Sequence, residues 1–397
     1  MNPIVTARQD YIRVAVSQRY LPHYRIAFFE EVQRLLRERG GCLQLFYSLE
    51  MGKVDAPPVW SRRIKSWSIE LPLAEIPERA LFAPGLVGHL LAFRPDVVVL
   101  EDLSGLVNSL HASMYCRLFS KPYLIWGLGS VPRKRQSRLR TLLAPFIKFL
   151  YSGSSGFICY SNHAREVYSK YGKPTFVAPN AFLSRMDLQE IEAVKRSIES
   201  RYRESVIRLV SIGAFKTQKR LDVLLHAIAR LSDIDIELHL VGDGSLRSEL
   251  ERQCAVLGLQ DRVFFHGALF SRQEKAQIFL KSHLGLMPGR GGLAIQELMA
   301  HGIPVVSGIA DGTERDLICN GMNGYLTDDF LSPEDIVLRI REFATLSPEQ
   351  KRAIAERALD TVLHAENVET MAKGFVEALA ATSLGTVVAP EPASERS

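Results

Sequence analysis

Cysteine is sparse and scattered: Cys42, Cys116, Cys159, Cys254 and Cys319 form no CxxC pair. The usual zinc spacings are therefore excluded, and an odd, dispersed set argues against a disulfide framework. No run of about 18 uninterrupted apolar residues occurs, so no membrane-spanning helix is expected. The opening "MNPIVTARQDYIRVAVSQ" lacks an apolar core with a cleavage site. No signal peptide is expected from it, and the chain reads as cytoplasmic and reduced. Neither a metal cluster nor a lysine-anchored pyridoxal phosphate signature is present, so no bound cofactor is expected. The excess of one charge sign over the other is also small. The net charge is +5 and charged residues make up 23% of the 397, a mild balance that reads first as solvated surface charge and only weakly as a sign of anionic partners such as nucleotides or lipid phosphates. No nucleic-acid partner is expected.

Apolar residues are plentiful, at 47%. They fall in short runs between longer amphipathic segments. "IRVAVSQ", "LQLFYS", "DVVVL", "YLIWG", "GFICYS" and "TFVAPN" occupy the first half. "IRLVSIG", "IELHLVGDG", "RVFFHG", "LGLMP", "PVVSG" and "GYLT" occupy the second. Continuous Val/Ile/Leu runs alternating with helical patterns predict parallel strands covered on both faces. The fold class is α/β, with two doubly wound, Rossmann-like domains. The predicted boundaries are 1–182, a charged helical linker at 183–206, and 207–363. A last helix follows at 364–381, and the polar tail 382–397 is expected to be disordered.

The motifs gather at the carboxyl ends of the second-half strands, where open α/β sheets bind ligands. "SIGAFKTQKR" places Gly213 at a turn with Lys216, Lys219 and Arg220 beyond it. "LVGDG" brings Gly242, and "RVFFHG" brings Arg262, Val263 and Gly267. "PGRGGLAIQELMAHGIPVV" sets Gly289, Arg290, Gly291, Gly292 and Leu293 before a helix that carries Glu297. Glycines there let a phosphate meet backbone N–H groups at the positive end of the helix dipole. A carboxylate one turn in suits a pair of ribose hydroxyls. Each motif alone also reads as a packing turn or a solvated face; their joint occurrence points to nucleotide binding.

In this order the motifs resemble family 4 of the retaining glycosyltransferases, which have the GT-B architecture of two Rossmann-like domains facing across a cleft. The resemblance is strongest over 207–327. "LPHYRIAFFEEVQRLL" is similar to members that build bacterial surface polysaccharides. It implies transfer of a sugar from a UDP- or GDP-linked donor to a lipid-linked or growing cell-surface glycan, with retention. It implies an acceptor-binding first domain and a final helix that crosses back to it. Lys219 then holds the donor diphosphate, Glu297 the ribose, and Gly291, Gly292 and Leu293 the phosphates and sugar. Arg262, Val263 and Gly267 lie where the base is held. The sequence departs from the family at three places: Gly289 replaces the first glutamate of E-x7-E, Ala214 an arginine, and Leu128 a histidine. Arg290 or Lys216 are candidates to replace the lost charge. A catalytically degenerate homologue that binds nucleotide or glycan, or a GT-B epimerase, are the rival readings.

On the acceptor side, His23 and Arg25 follow the first strand, and Glu101 and Asp102 follow "DVVVL". His23 is also a candidate catalytic group. The stretch 133–153 pairs Arg133, Lys134, Arg135, Arg138, Arg140 and Lys148 with an apolar run. It reads either as an ordinary helix or as a peripheral contact with an anionic membrane face that would suit a polyprenyl-diphosphate acceptor.

Overall fold

The apolar runs fold as parallel strands, and those in the middle of each sheet, such as Val97–Glu101, Tyr123–Gly127 and Leu284–Met287, bury nearly every residue. In the computed structural model, residues 12–51, 58–69, 80–129, 138–184, 188–203, 205–327 and 331–383 are described. The chain divides into two units. The first takes Met1–Phe182 and regains the chain at Val368; the second is Leu183–Asn367.

The first unit runs β1 (Arg13–Pro22), α1 (Ile26–Glu38), β2 (Cys42–Met51), β3 (Ser61–Arg63), the antiparallel pair β4 (Trp67–Ile69) and β5 (Ala80–Phe82), and α2 (Leu86–Phe93). It continues through β6 (Val97–Glu101), α3 (Leu106–Leu118), β7 (Tyr123–Gly127), α4 (Arg138–Ser152), β8 (Gly156–Cys159), α5 (Asn162–Ser169) and β9 (Thr175–Val177). The sheet order is β3-β2-β1-β6-β7-β8-β9, with every pairing parallel.

The second unit opens with α6 (Leu188–Arg201), then β10 (Ile207–Ile212), α7 (Leu221–Ala229), β11 (Ile236–Val241), α8 (Arg247–Val256), β12 (Val263–Gly267) and α9 (Arg272–Phe279). After these come β13 (Leu284–Met287), α10 (Leu293–Met299), β14 (Val305–Gly308), α11 (Glu314–Leu317), β15 (Gly324–Thr327), α12 (Pro333–Thr345) and α13 (Pro348–His364). Its order, β12-β11-β10-β13-β14-β15, is the 3-2-1-4-5-6 arrangement of doubly wound nucleotide-binding folds. The order reverses between β10 and β13.

The segment 183–206 is not a free-standing linker. Val194, Ile198 and Tyr202 of this stretch are buried in the second unit's core. The Arg201 guanidinium donates to the Gly302 carbonyl at 2.8 Å and the His301 carbonyl at 2.9 Å. The last helix, α14, spans Val368–Ser383 and packs in the first unit, where the Phe375 ring meets Phe28 edge-on at 5.4 Å. Gly374 is needed there, since a Cβ would sit 2.2 Å from the Val177 carbonyl oxygen of β9. Residues 384–397 of the tail lie outside the described residues. Among the described residues no helix is long and apolar enough to cross a membrane.

Candidate functional site

Three loops meet at the carboxyl ends of the second unit's strands, and glycines set how closely they meet. Gly213 ends β10 with φ +138°. A Cβ there would press on the Lys219 stem, 3.1 Å from Cε. Gly242 ends β11 with φ +148°, and its Cβ would fall 2.0 Å from the Gly213 carbonyl oxygen. Gly242 therefore serves backbone packing. A single 3-10 turn, Thr217–Lys219, then leads through Arg220, which holds the left-handed conformation at φ +52°, into α7. That conformation is uncommon for a side-chain-bearing residue and marks a locally constrained turn.

The β13–α10 turn lies directly on this 3-10 turn. The Arg290 N–H donates to the Gln218 carbonyl at 3.1 Å. At Gly289 a Cβ would be 2.2 Å from that same oxygen and 2.9 Å from the Lys219 carbonyl carbon. Gly289 is thus required by the approach of protein backbone. The position open to a ligand is Gly292, at φ +57° and ψ −141°, where a Cβ would have nothing within 4 Å. It is the N-cap of α10, so the first N–H groups of that helix lie at the open position.

The Lys219 Nζ donates to the carbonyl of Arg290 and, at 3.4 Å, to that of Gly291. These bonds fix the ammonium at the mouth of the glycine turn. Burial, and secondarily the Arg290 charge, hold its pKa below the ordinary lysine range. A lysine so placed gains from any anion that binds beside it. Lys216 and Arg220 belong to the loop that carries Lys219, and Arg290 to the glycine turn itself; Lys216 and Arg290 are exposed and Arg220 is half-buried.

Glu297 sits on α10, half-buried, and accepts a hydrogen bond from Lys275 Nζ of α9 at 2.6 Å through Oε1. Sequence reasoning missed Lys275. It lies 22 positions away, inside an ordinary charged helix started by the Ser271–Glu274 capping box, and only folding makes it a partner. The ion pair orients the carboxylate.

Arg262 and Val263 do not join this site. They stand at the amino end of β12, whereas the loops above are at carboxyl ends. The Arg262 guanidinium donates to the carbonyls of Leu231 at 2.8 Å and Ile234 at 3.1 Å, and Val263 is in the core. Gly267, at the other end of the strand with φ +73°, stays on the site's edge. Leu293 is half-buried at the first turn of α10.

In the first unit the acceptor-side candidates divide. Arg25 is buried at 6% exposure and donates to the Ala181 carbonyl at 2.8 Å, to Met371 Sδ and to Asn180. It joins β1, the 180–181 segment and α14, so its role is structural. Asp102 is likewise buried. It accepts from Tyr168 Oη at 2.6 Å and from Tyr151 Oη, and burial pushes its carboxyl above the usual range against those two bonds. Glu101 accepts from the Arg19 backbone N–H at 2.7 Å and from Ser104 Oγ, tying the end of β1 to the turn after β6. His23 alone of the four is exposed.

Arg133, Lys134 and Arg135 lie outside the described residues, as do the side chains of Arg138 and Arg140. The described part of α4 presents Phe146 and Phe149 at 52% and 41% exposure, with Lys148 between them. Among the described residues no group of three His, Cys, Asp or Glu could hold a metal ion.

Residues 196–361 match the family described as glycosyl transferases group 1. A GDP-mannose-dependent alpha-(1-6)-phosphatidylinositol dimannoside mannosyltransferase of Mycobacterium tuberculosis is 29% identical over 210 residues, covering 50% of this chain and 52% of that protein. A lipopolysaccharide 1,6-galactosyltransferase of Salmonella typhimurium is 29% identical over 126 residues, 30% of this chain and 35% of that one. The chain spans about half the length, or less, of the curated relatives it matches. Among solved structures, Anabaena Alr3699/HepE in complex with UDP superposes with a TM-score of 0.65 at 18% identity, covering 93% of this chain and all of the other. WaaG, a glycosyltransferase involved in lipopolysaccharide biosynthesis, gives 0.61 at 15% identity over 92% of this chain and 99% of the other. The chain therefore has the GT-B fold, matches the glycosyl transferases group 1 family over residues 196–361 of its second unit, and resembles surface-polysaccharide glycosyltransferases.

Proposed function

We propose that this chain transfers a sugar from a nucleotide-sugar donor to a lipid-linked or growing cell-surface glycan, with retention of the anomeric configuration. The observation that carries the reading is the junction of Lys219 with the glycine turn before α10, at the point where the strand order of the second unit reverses. Three supports agree with it. Lys219 faces the turn, Glu297 is oriented on the same helix, and the matched relatives named above act on lipid-linked or lipopolysaccharide glycans.

In this mechanism the bond between the anomeric carbon and the diphosphate breaks with both electrons leaving on the diphosphate. The acceptor oxygen forms its new bond to that carbon from the departing face, and a diphosphate oxygen takes the acceptor proton. Stabilising the charge that grows on the leaving group is then the main demand, and Lys219 with the α10 N–H groups meets it. No dedicated carboxylate base is needed. Positioning of donor and acceptor supplies much of the remaining acceleration. The departures at Gly289, Ala214 and Leu128 favour the second reading, a homologue that binds without transfer; the retained Lys219 and Glu297 favour the first.

Nucleotide release measured across UDP- and GDP-linked donors tests the proposal directly. Glu297→Ala should weaken donor binding by about 10- to 100-fold, the loss of a charge-assisted hydrogen bond. Lys275→Ala should weaken it less, because the carboxylate remains but is no longer held. Equal donor affinity in wild type and Glu297→Ala would sink the ribose assignment. No release with any donor would favour the binding-only homologue.

We further propose that the chain works in the cytoplasm against the inner face of the membrane. Phe146 and Phe149 flank Lys148 on α4. Arg117 of α3 lies over the Phe149 ring at 4.0 Å, and Leu118 beside it is 78% exposed. Exposed aromatic side chains three apart on α4, with the Arg117 guanidinium beside them, suit an anionic interface. Salt-sensitive co-sedimentation with phosphatidylglycerol vesicles should fall in Phe146→Ser/Phe149→Ser. Binding unchanged by that pair would remove α4 from the contact.

A further inference from the structure

We propose that the cavity between α4 and α5 of the first unit binds the hydrocarbon chain of a phosphate-bearing lipid, the apolar end of the acceptor. This deepens the proposed function, and the word acceptor rests on that reading; the binding itself does not.

The cavity measures about 400 Å³, within the range of small-molecule sites. Ala144 and Ile147 of α4 form one wall and Val167 of α5 the other. Its aromatic lining comes from Tyr151, Tyr168 and Tyr171. Two of these phenols are committed elsewhere. Tyr151 and Tyr168 both donate to the buried Asp102 carboxylate, and the Gly129 N–H donates to Tyr168 Oη at 3.1 Å. Their hydroxyls are therefore spent on the protein, and what they offer the cavity is ring surface. This gives Asp102 a function its burial would otherwise hide: it keeps two tyrosines turned so that the pocket is apolar. The Tyr168 ring is also fixed from behind by stacking on Phe157 at 4.4 Å and 13°.

Among the described residues, the only charged side chains lining the cavity are Lys148 and Lys170. Both are exposed, one on each helix margin. An apolar interior bounded by two ammonium groups and no carboxylate complements a chain ending in phosphate. It would not suit a neutral sugar, which needs paired donors and acceptors inside the pocket. Lys148 lies on the same α4 face as Ala144, Ile147 and Tyr151, so its ammonium stands at the cavity and not on the side that carries Phe146 and Phe149.

The test uses the full chain and n-alkyl phosphates of four to twelve carbons, each below its micelle concentration, titrated by calorimetry. Affinity should rise about fourfold per methylene, the value of a buried CH₂, and then stop rising once the chain fills the cavity. Ala144→Trp, at an exposed helix position, should abolish the chain-length dependence while leaving thermal melting unchanged. Lys148→Gln/Lys170→Gln should cost about tenfold against phosphates and nothing against the matching alkanols. A steady rise without a plateau, or identical titrations for wild type and Ala144→Trp, would overturn the proposal. Nucleotide binding is measured in parallel to separate the two readings. Intact donor binding with no alkyl phosphate binding sinks the cavity alone, whereas alkyl phosphate binding without any donor binding sinks the transferase.

Discussion

Gly289→Glu is expected to lower, not raise, donor binding and transfer, even though it restores the residue that the E-x7-E pattern carries. Its Cβ would lie 2.2 Å from the Gln218 carbonyl oxygen, a distance no carbon can keep. Either the 3-10 turn that carries Lys219 moves away or the β13–α10 turn does, and both hold the site. Overpacking of this kind typically costs about 1–3 kcal/mol. In a unit of this size each kcal/mol lowers the melting temperature by about 2–4 °C. Gly289→Ala isolates the Cβ from the charge and should show most of the loss, because the collision begins at the first carbon. The measurements are thermal melting, nucleotide affinity and product formation for wild type and both variants over one donor panel. Transfer that appears only with Gly289→Glu would instead establish a degenerate wild type. A melting temperature unchanged in Gly289→Ala would show that the loops yield without cost.

Lys219→Ala should cut turnover by about 10²-fold or more while weakening donor binding less. The diphosphate gains charge on the way to the transition state, so the ammonium interacts more strongly there than with bound substrate. Removing the side chain also releases the carbonyls of Arg290 and Gly291, which loosens the turn. Lys219→Gln, which retains donors without charge, separates the two contributions: it should recover thermal stability but not turnover. The pH profile provides an independent check. The protonated amine is the active form, and burial with the Arg290 charge sets its pKa below the ordinary lysine value. Activity should therefore fall as pH rises through that lowered pKa, and the wild-type alkaline limb should be missing from Lys219→Gln. A rise in KM alone, with kcat unaffected, would leave Lys219 as a binding group only.

The sequence by itself determined the parallel strands. All twelve short apolar runs contain strands; in the central ones both faces are buried, which demands apolar residues at nearly every position. It did not reveal β3, β4 or β5, which like β9 are three residues long; β9 was legible only from the longer run "TFVAPN" in which it lies. The lysine, the glycine turn and the helix with Glu297 were legible as well, since close backbone approach and dipole ends impose residue types locally. Partners distant in sequence were not legible. That Gly289 makes room for Gln218 and not for a sugar depends on two loops some 70 residues apart lying in contact, which the reversal of strand order between β10 and β13 brings about. The same holds for Lys275 beside Glu297. Arg25, Glu101 and Asp102 looked like acceptor groups because they follow strands. Tertiary packing assigned them to structure instead: a polar group at a strand end is functional only if neighbouring elements leave it exposed, and here α14, the β1 end and the tyrosines of α4 and α5 take up their hydrogen bonds.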